Sequence, residues 1–112
     1  MRKKLIIKSK RGSYALPVED IVFMEKRLRK ILVHTMTQSI EFYGRFSEII
    51  PLLDNRFLHC HRSYVINMDK IVVMSYNQIF VTTNKGIYFG RDTYGRAKKI
   101  FDRYLEEKRS QT

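Results

Sequence analysis

Much of the chain alternates between apolar and polar residues with the period of a β-strand. Near the start, Leu5 and Ile7 share one predicted face, while Lys4, Ile6 and Lys8 share the other. Similar short runs recur along the chain, separated by Gly, Asn and Pro turn signals. They predict strands over residues 4–10, 14–18, 21–25, 31–36, 39–43, 57–61, 64–66, 71–75, 78–83 and 87–89.

Two segments change to the period of a helix. Apolar residues recur at helical spacing over residues 45–53, which predicts a short amphipathic helix disturbed by Pro51. A second helix is predicted after Gly90, with Asp92 or Thr93 as its N-cap. Its predicted apolar stripe consists of Tyr94, Ala97, Phe101, Tyr104 and Leu105.

The length of 112 residues fits one β-dominated domain, with a core over residues 4–105 and a frayed tail over residues 106–112. Cys60 is the only cysteine, so an internal disulfide framework is excluded and a reducing cytosol is the simplest setting. Neither a membrane-spanning apolar stretch nor a secretory signal peptide is recognisable in the sequence. We therefore expect a cytoplasmic protein without a membrane partner.

Positive charge is in large excess. Lys and Arg number 22 against 11 Asp and Glu, a formal net charge of +11. The first forty residues carry a net +7, residues 41–90 a net +1, and residues 91–112 a net +3. A basic surface of this size favours nucleic acid or an anionic membrane face as a partner. Solubility alone is the competing explanation.

Reactive side chains are concentrated at His59-Cys60-His61. On a regular strand, His59 and His61 would share a face and Cys60 would point away from them. A zinc site needs about four ligands, and the remaining histidine, His34, lies far off in the sequence. The glycines lack the spacing of a phosphate-binding loop. We therefore expect no enzyme activity, metal or cofactor.

Basic residues also cluster in predicted loops and at the start of the last helix. Residues 26–30 read as a basic loop, Arg62 lies at a strand bend, and Arg91 and Arg96 lie near the start of the helix. Arginine binds phosphate as a fork and can donate two hydrogen bonds to guanine. Such clusters are also common as solvated surface, and residue type alone does not separate the two interpretations.

Three motifs resemble one known family. Glu41-Phe42-Tyr43-Gly44, the block from Phe57 to Ile71 containing His61-Arg62-Ser63-Tyr64, and Gly90-Arg91-Asp92-Thr93-Tyr94 are similar to the LytTR DNA-binding domain. The likeness runs over residues 4–104, and is closest to regulators of quorum sensing, bacteriocin production and virulence in Gram-positive bacteria.

The resemblance implies a mainly β fold: an elongated stack of small antiparallel sheets with a short mid-chain helix and a C-terminal helix. It implies an output domain of a two-component transcription regulator, whose loops read successive major grooves of double-stranded promoter DNA. Direct repeats, a pair of copies on DNA and a monomer alone are further expectations. The full-length protein can carry a receiver domain on the N-terminal side.

The resemblance also implies residue roles. Base reading is expected from Arg29 or Lys30, from Arg62, and from Arg91 with Arg96 as an alternative. His61 is expected to shape its loop and Asn67 to cap a turn, while Tyr64, Val65 and Ile66 should alternate between core and surface. Backbone or secondary contacts are expected from Lys26, Arg27, His61, Ser63, Arg96, Lys98 and Lys99.

One alternative from another class stays open. The positive charge and the Tyr and Phe residues would also suit an RNA-binding or ribosome-associated β-domain, because single-stranded RNA stacks its bases on aromatic rings.

Overall fold

A computed structural model of the protein describes residues 3–110. Ten strands in this range form three antiparallel sheets, and two helices accompany them. The strands are β1 (Lys4–Ser9), β2 (Gly12–Pro17), β3 (Ile21–Arg27), β4 (Lys30–Thr35), β5 (Ser39–Tyr43), β6 (Phe57–His61), β7 (Tyr64–Asn67), β8 (Ile71–Ser75), β9 (Gln78–Val81) and β10 (Gly86–Tyr88). The helices are α1 (Phe46–Ile49) and α2 (Arg91–Ser110). The predicted mainly β fold is confirmed.

A five-stranded sheet forms the centre of the molecule, with the strand order β5-β4-β3-β7-β6. The β1–β2 hairpin and α1 contribute to a hydrophobic core on one face. The sheet β10-β9-β8 and α2 contribute to a second core on the other face. The whole measures 39 × 33 × 25 Å along its principal axes.

Strands β3 and β7 are buried on both faces because each lies between two other strands and two cores. Met24 and Val65 belong to the first core, and Phe23 and Ile66 belong to the second. The predicted alternation of residues 64–66 between core and surface is therefore wrong: Val65 and Ile66 are both fully buried. A continuous apolar run is the pattern of a strand that is covered on both sides.

The mid-chain helix is shorter than predicted. Helix α1 ends at Ile49, and the chain continues as a 3-10 turn over Ile50–Leu52 instead of extending the α-helix to Leu53. Pro51 lies inside this turn. Its ring nitrogen carries no hydrogen to donate to a carbonyl four residues back, which accounts for the change.

Helix α2 begins earlier and ends later than predicted. It starts at Arg91, and the Tyr94 N–H donates to the Gly90 carbonyl at 2.8 Å, so neither Asp92 nor Thr93 is the N-cap. It continues to Ser110, whose hydroxyl donates to the Glu106 carbonyl at 3.0 Å. Residues 106–110 of the predicted frayed tail are thus helical in this structure. The remainder of that predicted tail, residues 111–112, lies outside the described residues.

Part of the predicted stripe on α2 anchors the helix to the second core. Ala97, Phe101 and Tyr104 are buried there and Tyr94 is half-buried, whereas Leu105 is 47% exposed. Within the described residues, neither helix has the length and hydropathy needed to span a lipid bilayer.

Candidate nucleic-acid interface

The β3–β4 connection is a tight hairpin rather than the predicted basic loop over residues 26–30. Arg27 pairs with Lys30, so the turn consists of Leu28 and Arg29 alone. Lys26 and Arg27 lie in β3, and Lys30 begins β4. Leu28 takes the left-handed conformation, with φ of 57°, and is 94% exposed. The hairpin therefore presents Arg29 at its tip beside an exposed leucine.

The β6–β7 turn lies at the same end of the central sheet. His61 pairs with Tyr64, which leaves Arg62 and Ser63 as the turn. The backbone N–H of Lys26 donates to the Ser63 carbonyl at 2.8 Å, tying this turn to β3 just before the hairpin. Arg29 and Arg62 are thus carried by neighbouring turns at one sheet end, which we name the tip end (residues 27–30, 61–63 and 90–93).

His61 shapes its turn, as predicted. Its Nδ1 accepts a hydrogen bond from the Ser63 N–H at 3.0 Å, so this nitrogen carries no proton. The imidazole also stacks on Phe89, with 4.8 Å between the ring centres. Burial lowers the pKa of His61, and the nearby charge of Arg62 lowers it further. A neutral His61 therefore links the β6–β7 turn to the residue that precedes Gly90.

The predicted shared face of His59 and His61 is wrong. The pairing of β6 with β7 shifts register between Leu58 and His61, as in a β-bulge. His59 consequently lies edge-on to Phe46 of the first core at 5.7 Å, while His61 reaches the second core. No group of three or more His, Cys, Asp or Glu within residues 3–110 could hold a metal ion.

Cys60 connects β6 to the start of α2. Its Sγ lies 4.0 Å from the Thr93 carbonyl, and the side chain packs against the second core. Burial raises the pKa of the Cys60 thiol, with a smaller opposing effect from the charge of Arg96. The thiol is thus held in its protonated, poorly nucleophilic form. Its contact places the first turn of α2, which begins with Arg91, at the tip end.

Several predicted DNA-contacting cations have carboxylate partners. Arg27 Nη2 lies 3.0 Å from Glu25 Oε1, and the same oxygen lies 3.0 Å from His34 Nε2. Lys30 Nζ lies 3.0 Å from Glu41 Oε1, and this contact raises the pKa of Lys30.

On α2, Lys98 pairs with Asp102 at 2.8 Å, and Arg96 donates to the Thr93 hydroxyl at 3.4 Å. These contacts orient side chains that remain on the surface. They leave the charges of Lys98 and Arg96 accessible to a larger polyanion.

Three predicted base readers differ from those cations. The side chains of Arg29, Arg62 and Arg91 are exposed and make no hydrogen bond or ion pair with any residue of the range 3–110. Each guanidinium keeps all five N–H donors available. The structure thus brings these three arginines to one end of the molecule without internal partners.

Sequence reasoning missed two further elements at this end. The tip of the β8–β9 hairpin is tied to it, because the Phe89 N–H donates to the Asn77 carbonyl at 2.9 Å; Tyr76 on that tip is 95% exposed. Arg11, in the turn of the β1–β2 hairpin, lies close enough for its charge to act on Lys30. For Arg11, the one feature of the sequence that indicated a binding role is the concentration of positive charge in the first forty residues.

A basic β scaffold with unpaired arginines on its turns has the features of a nucleic-acid-binding domain. Residues 11–102 match the family model of the LytTr DNA-binding domain. The match covers most of the chain, and the chain belongs to this family.

Relatives and a solved structure agree with this assignment. The chain is 41% identical over 69 residues to the accessory gene regulator protein A of Staphylococcus epidermidis and 39% identical to that of Staphylococcus aureus strain N315. Each alignment covers 58% of this chain but only 29% of the relative. The LytTr DNA-binding domain of a methyl-accepting/DNA response regulator described as putative, from Bacillus cereus, has the same fold. Its TM-score is 0.74 at 16% identity, over 89% of this chain and 97% of that one.

Proposed function

We propose that this chain is the DNA-binding output domain of a bacterial transcription regulator, and that it recognises a specific sequence in double-stranded DNA. The observation that carries the proposal is the convergence of the unpartnered Arg29, Arg62 and Arg91 on one end of the central sheet. The recognised sequence would lie in a promoter as direct repeats, each bound by one copy of a protein that is monomeric without DNA. A receiver domain in the full-length protein and a cytoplasmic location are part of this proposal; the solved LytTr domain with the same fold is described as belonging to a response regulator.

Turn residues would perform the base reading, because the guanidinium group can donate two parallel hydrogen bonds to the O6 and N7 atoms of guanine. Arg29 is favoured over Lys30 on the β3–β4 hairpin, since Glu41 pairs with Lys30 but not with Arg29. Arg62 and Arg91 would read the positions that follow along the duplex. Their placement, on two neighbouring turns and at the start of α2, supports contacts in successive parts of the major groove.

Other cations would bind phosphates and thereby hold the protein on the duplex without reading its sequence. Those on β3 and α2 are suited to this because they flank the tip end. Ser63 can add a neutral donor, and Arg96 is a second candidate beside Arg91. The proposed phosphate contacts are Lys26, Arg27, Lys30, Lys98 and Lys99.

The test begins with duplexes selected by the wild-type protein from a random pool. Replacing Arg62 by Ala should weaken binding to the selected duplex by ~1–3 kcal/mol, with a much smaller loss on random duplexes. Arg103→Ala is the matched control, because Arg103 is an exposed arginine on the C-terminal part of α2. Fluorescence anisotropy at fixed salt measures the affinities of wild type and of both variants on the selected and the random duplexes.

Equal losses on the selected and random duplexes would remove Arg62 from the base readers. Competition with single-stranded RNA tests the alternative class: RNA that displaces the selected duplex at equal concentration would favour an RNA-binding domain. We expect the duplex to stay bound.

A further inference from the structure

A basic cleft adjoins the tip end on the side of the β1–β2 hairpin, which we name the first hairpin. It has a volume of about 750 Å³ and lies between the β1–β2 hairpin and β5. Its charged lining residues are Lys8, Lys10, Arg11, Lys30 and Glu41. Four cations against one carboxylate give this lining a net charge of +3, and the carboxylate is already neutralised by Lys30. The cleft therefore attracts anions.

The cations of the first hairpin are held on a defined turn. Ser9 pairs with Gly12 across the hairpin, and the Ser9 hydroxyl oxygen accepts from the Arg11 N–H at 3.3 Å. Leu5 and Ile7 anchor β1 in the first core. Lys8, Lys10 and Arg11 are all exposed. The fold thus projects three positive charges from a strand pair that is fixed to the rest of the domain.

The cleft is continuous with the candidate interface through Lys30. This residue lines the cleft and also pairs with Arg27 at the base of the β3–β4 hairpin that carries Arg29. The Lys30 ammonium lies 5.2 Å from the ring centre of Tyr43, whose side chain is 72% exposed. A polyanion bound across Arg62 and Arg29 would reach the first hairpin if it extended past Lys30.

We propose that the β1–β2 hairpin binds the phosphate backbone of the same DNA duplex, beyond the bases read at the tip end, and so lengthens the footprint. This inference rests on the proposed function. Exposed cations on β1 and on the turn after it, lining an open cleft, fit a repeating, sequence-independent charge, which is what the phosphate backbone offers. Lys8 and Lys10 also precede the range matched by the family model, which starts at residue 11.

The test replaces Lys8, Lys10 and Arg11 together by Gln. Each phosphate contact that is lost lowers the slope of log K against log salt concentration by about 0.9. We therefore expect the slope to fall by about 2 to 3, with similar loss of affinity on selected and random duplexes. The control variant removes the same number of positive charges from the C-terminal half of α2, by the substitutions Arg103→Gln, Lys108→Gln and Arg109→Gln.

Duplex length separates a direct contact from a general effect of charge. On a duplex trimmed at the flank next to the hairpin, wild type and the hairpin variant should bind equally, because the contacted phosphates are gone. An unchanged slope on the long duplex would overturn the inference. So would a loss that persists on every trimmed duplex, or one that the control variant reproduces.

The outcome for the wild-type protein distinguishes the two proposals. Suppose that wild type selects a duplex, but that the hairpin variant shows the same affinity and salt slope as the control variant. The longer footprint is then wrong, and the proposed function stands. If wild type selects no duplex at all, the proposed function itself fails. Thermal melting of each variant checks that the substitutions at these exposed positions leave the fold intact.

Discussion

The two ends of the central sheet use the same kinds of side chain in opposite ways. At the end formed by residues 54–57 and 67–70, which we name the base end, cations and polar groups have partners. Arg56 pairs with Asp54 at 2.8 Å, and Asp69 accepts from the Tyr104 hydroxyl at 2.6 Å. At the tip end, Arg29, Arg62 and Arg91 have no such partner within the described residues.

This contrast separates structural from recognition roles for the same residue type. An arginine beside a carboxylate has its charge compensated inside the protein and orders the chain around it. An arginine held on a tight turn without a partner keeps its donors for another molecule. The base end should therefore govern stability and the tip end should govern binding. The predictions below test that division.

Substitution at Asn67 should cause the largest change. This buried side chain donates to the Ile21 carbonyl at 2.8 Å and accepts from the Asp69 N–H at 2.9 Å, as its predicted capping role requires. Asn67→Ala removes both bonds, including the one accepted by the carbonyl of the buried Ile21. We expect a loss of about 2–4 kcal/mol in the free energy of unfolding, measured by urea denaturation.

The exposed Asn55 in the same region supplies the control, and Asn55→Ala should change stability by less than about 0.5 kcal/mol. DNA affinity of Asn67→Ala should match wild type at a temperature where both proteins are folded. A selective loss of affinity by the folded variant would show that the two ends do not act separately.

Tyr104→Phe should have an intermediate effect. The hydrogen bond from its hydroxyl to Asp69 contributes about 1 kcal/mol to the free energy of unfolding. Tyr88→Phe is the control, because Tyr88 is 65% exposed. Burial, with the bond and charge of Asp69, raises the pKa of Tyr104 above its ordinary value of 10.0. The unfolded chain therefore ionises first, and wild type should lose stability as pH rises above 10.0. This loss should be smaller in Tyr104→Phe, when unfolding is followed by circular dichroism.

His61 should give the smallest change, and it lies at the tip end. Its pKa lies below the ordinary value of 6.5, so the unfolded chain takes up a proton before the folded protein does as pH falls. Stability should decline as pH falls below 6.5, and less so in His61→Gln, which retains an acceptor and does not titrate. Identical pH profiles for the two proteins would contradict the lowered pKa of His61 in the folded protein.

Much of the fold was predictable because local pattern determines it. The strand over Ser39–Tyr43 and the two over Phe57–His61 and Ile71–Ser75 have their predicted limits. Two of the failures have a cause outside the local sequence. Ile66 is buried because a second core covers its face, and His59 is turned away from His61 by a bulge.

The candidate site was predictable residue by residue only through its motifs. The block around Arg62 and the residues after Gly90 carry the family resemblance, and family membership is confirmed. Base reading by Arg29, Arg62 and Arg91 stays a prediction until binding is measured. The first hairpin could not be found by motif, because Lys8 and Lys10 acquire meaning only through their position near Lys30.

The amino-acid sequence by itself determined most of the strands, the excess of positive charge and the candidate DNA-binding residues, because periodicity and residue chemistry are local properties. Tertiary structure decided which charges far apart in the sequence compensate one another. Lys30 meets Glu41 and Lys108 meets Asp69 across long stretches of chain, while Arg29 and Arg62 meet no carboxylate within residues 3–110. Coulomb attraction depends on distance in space, which separation along the chain does not set.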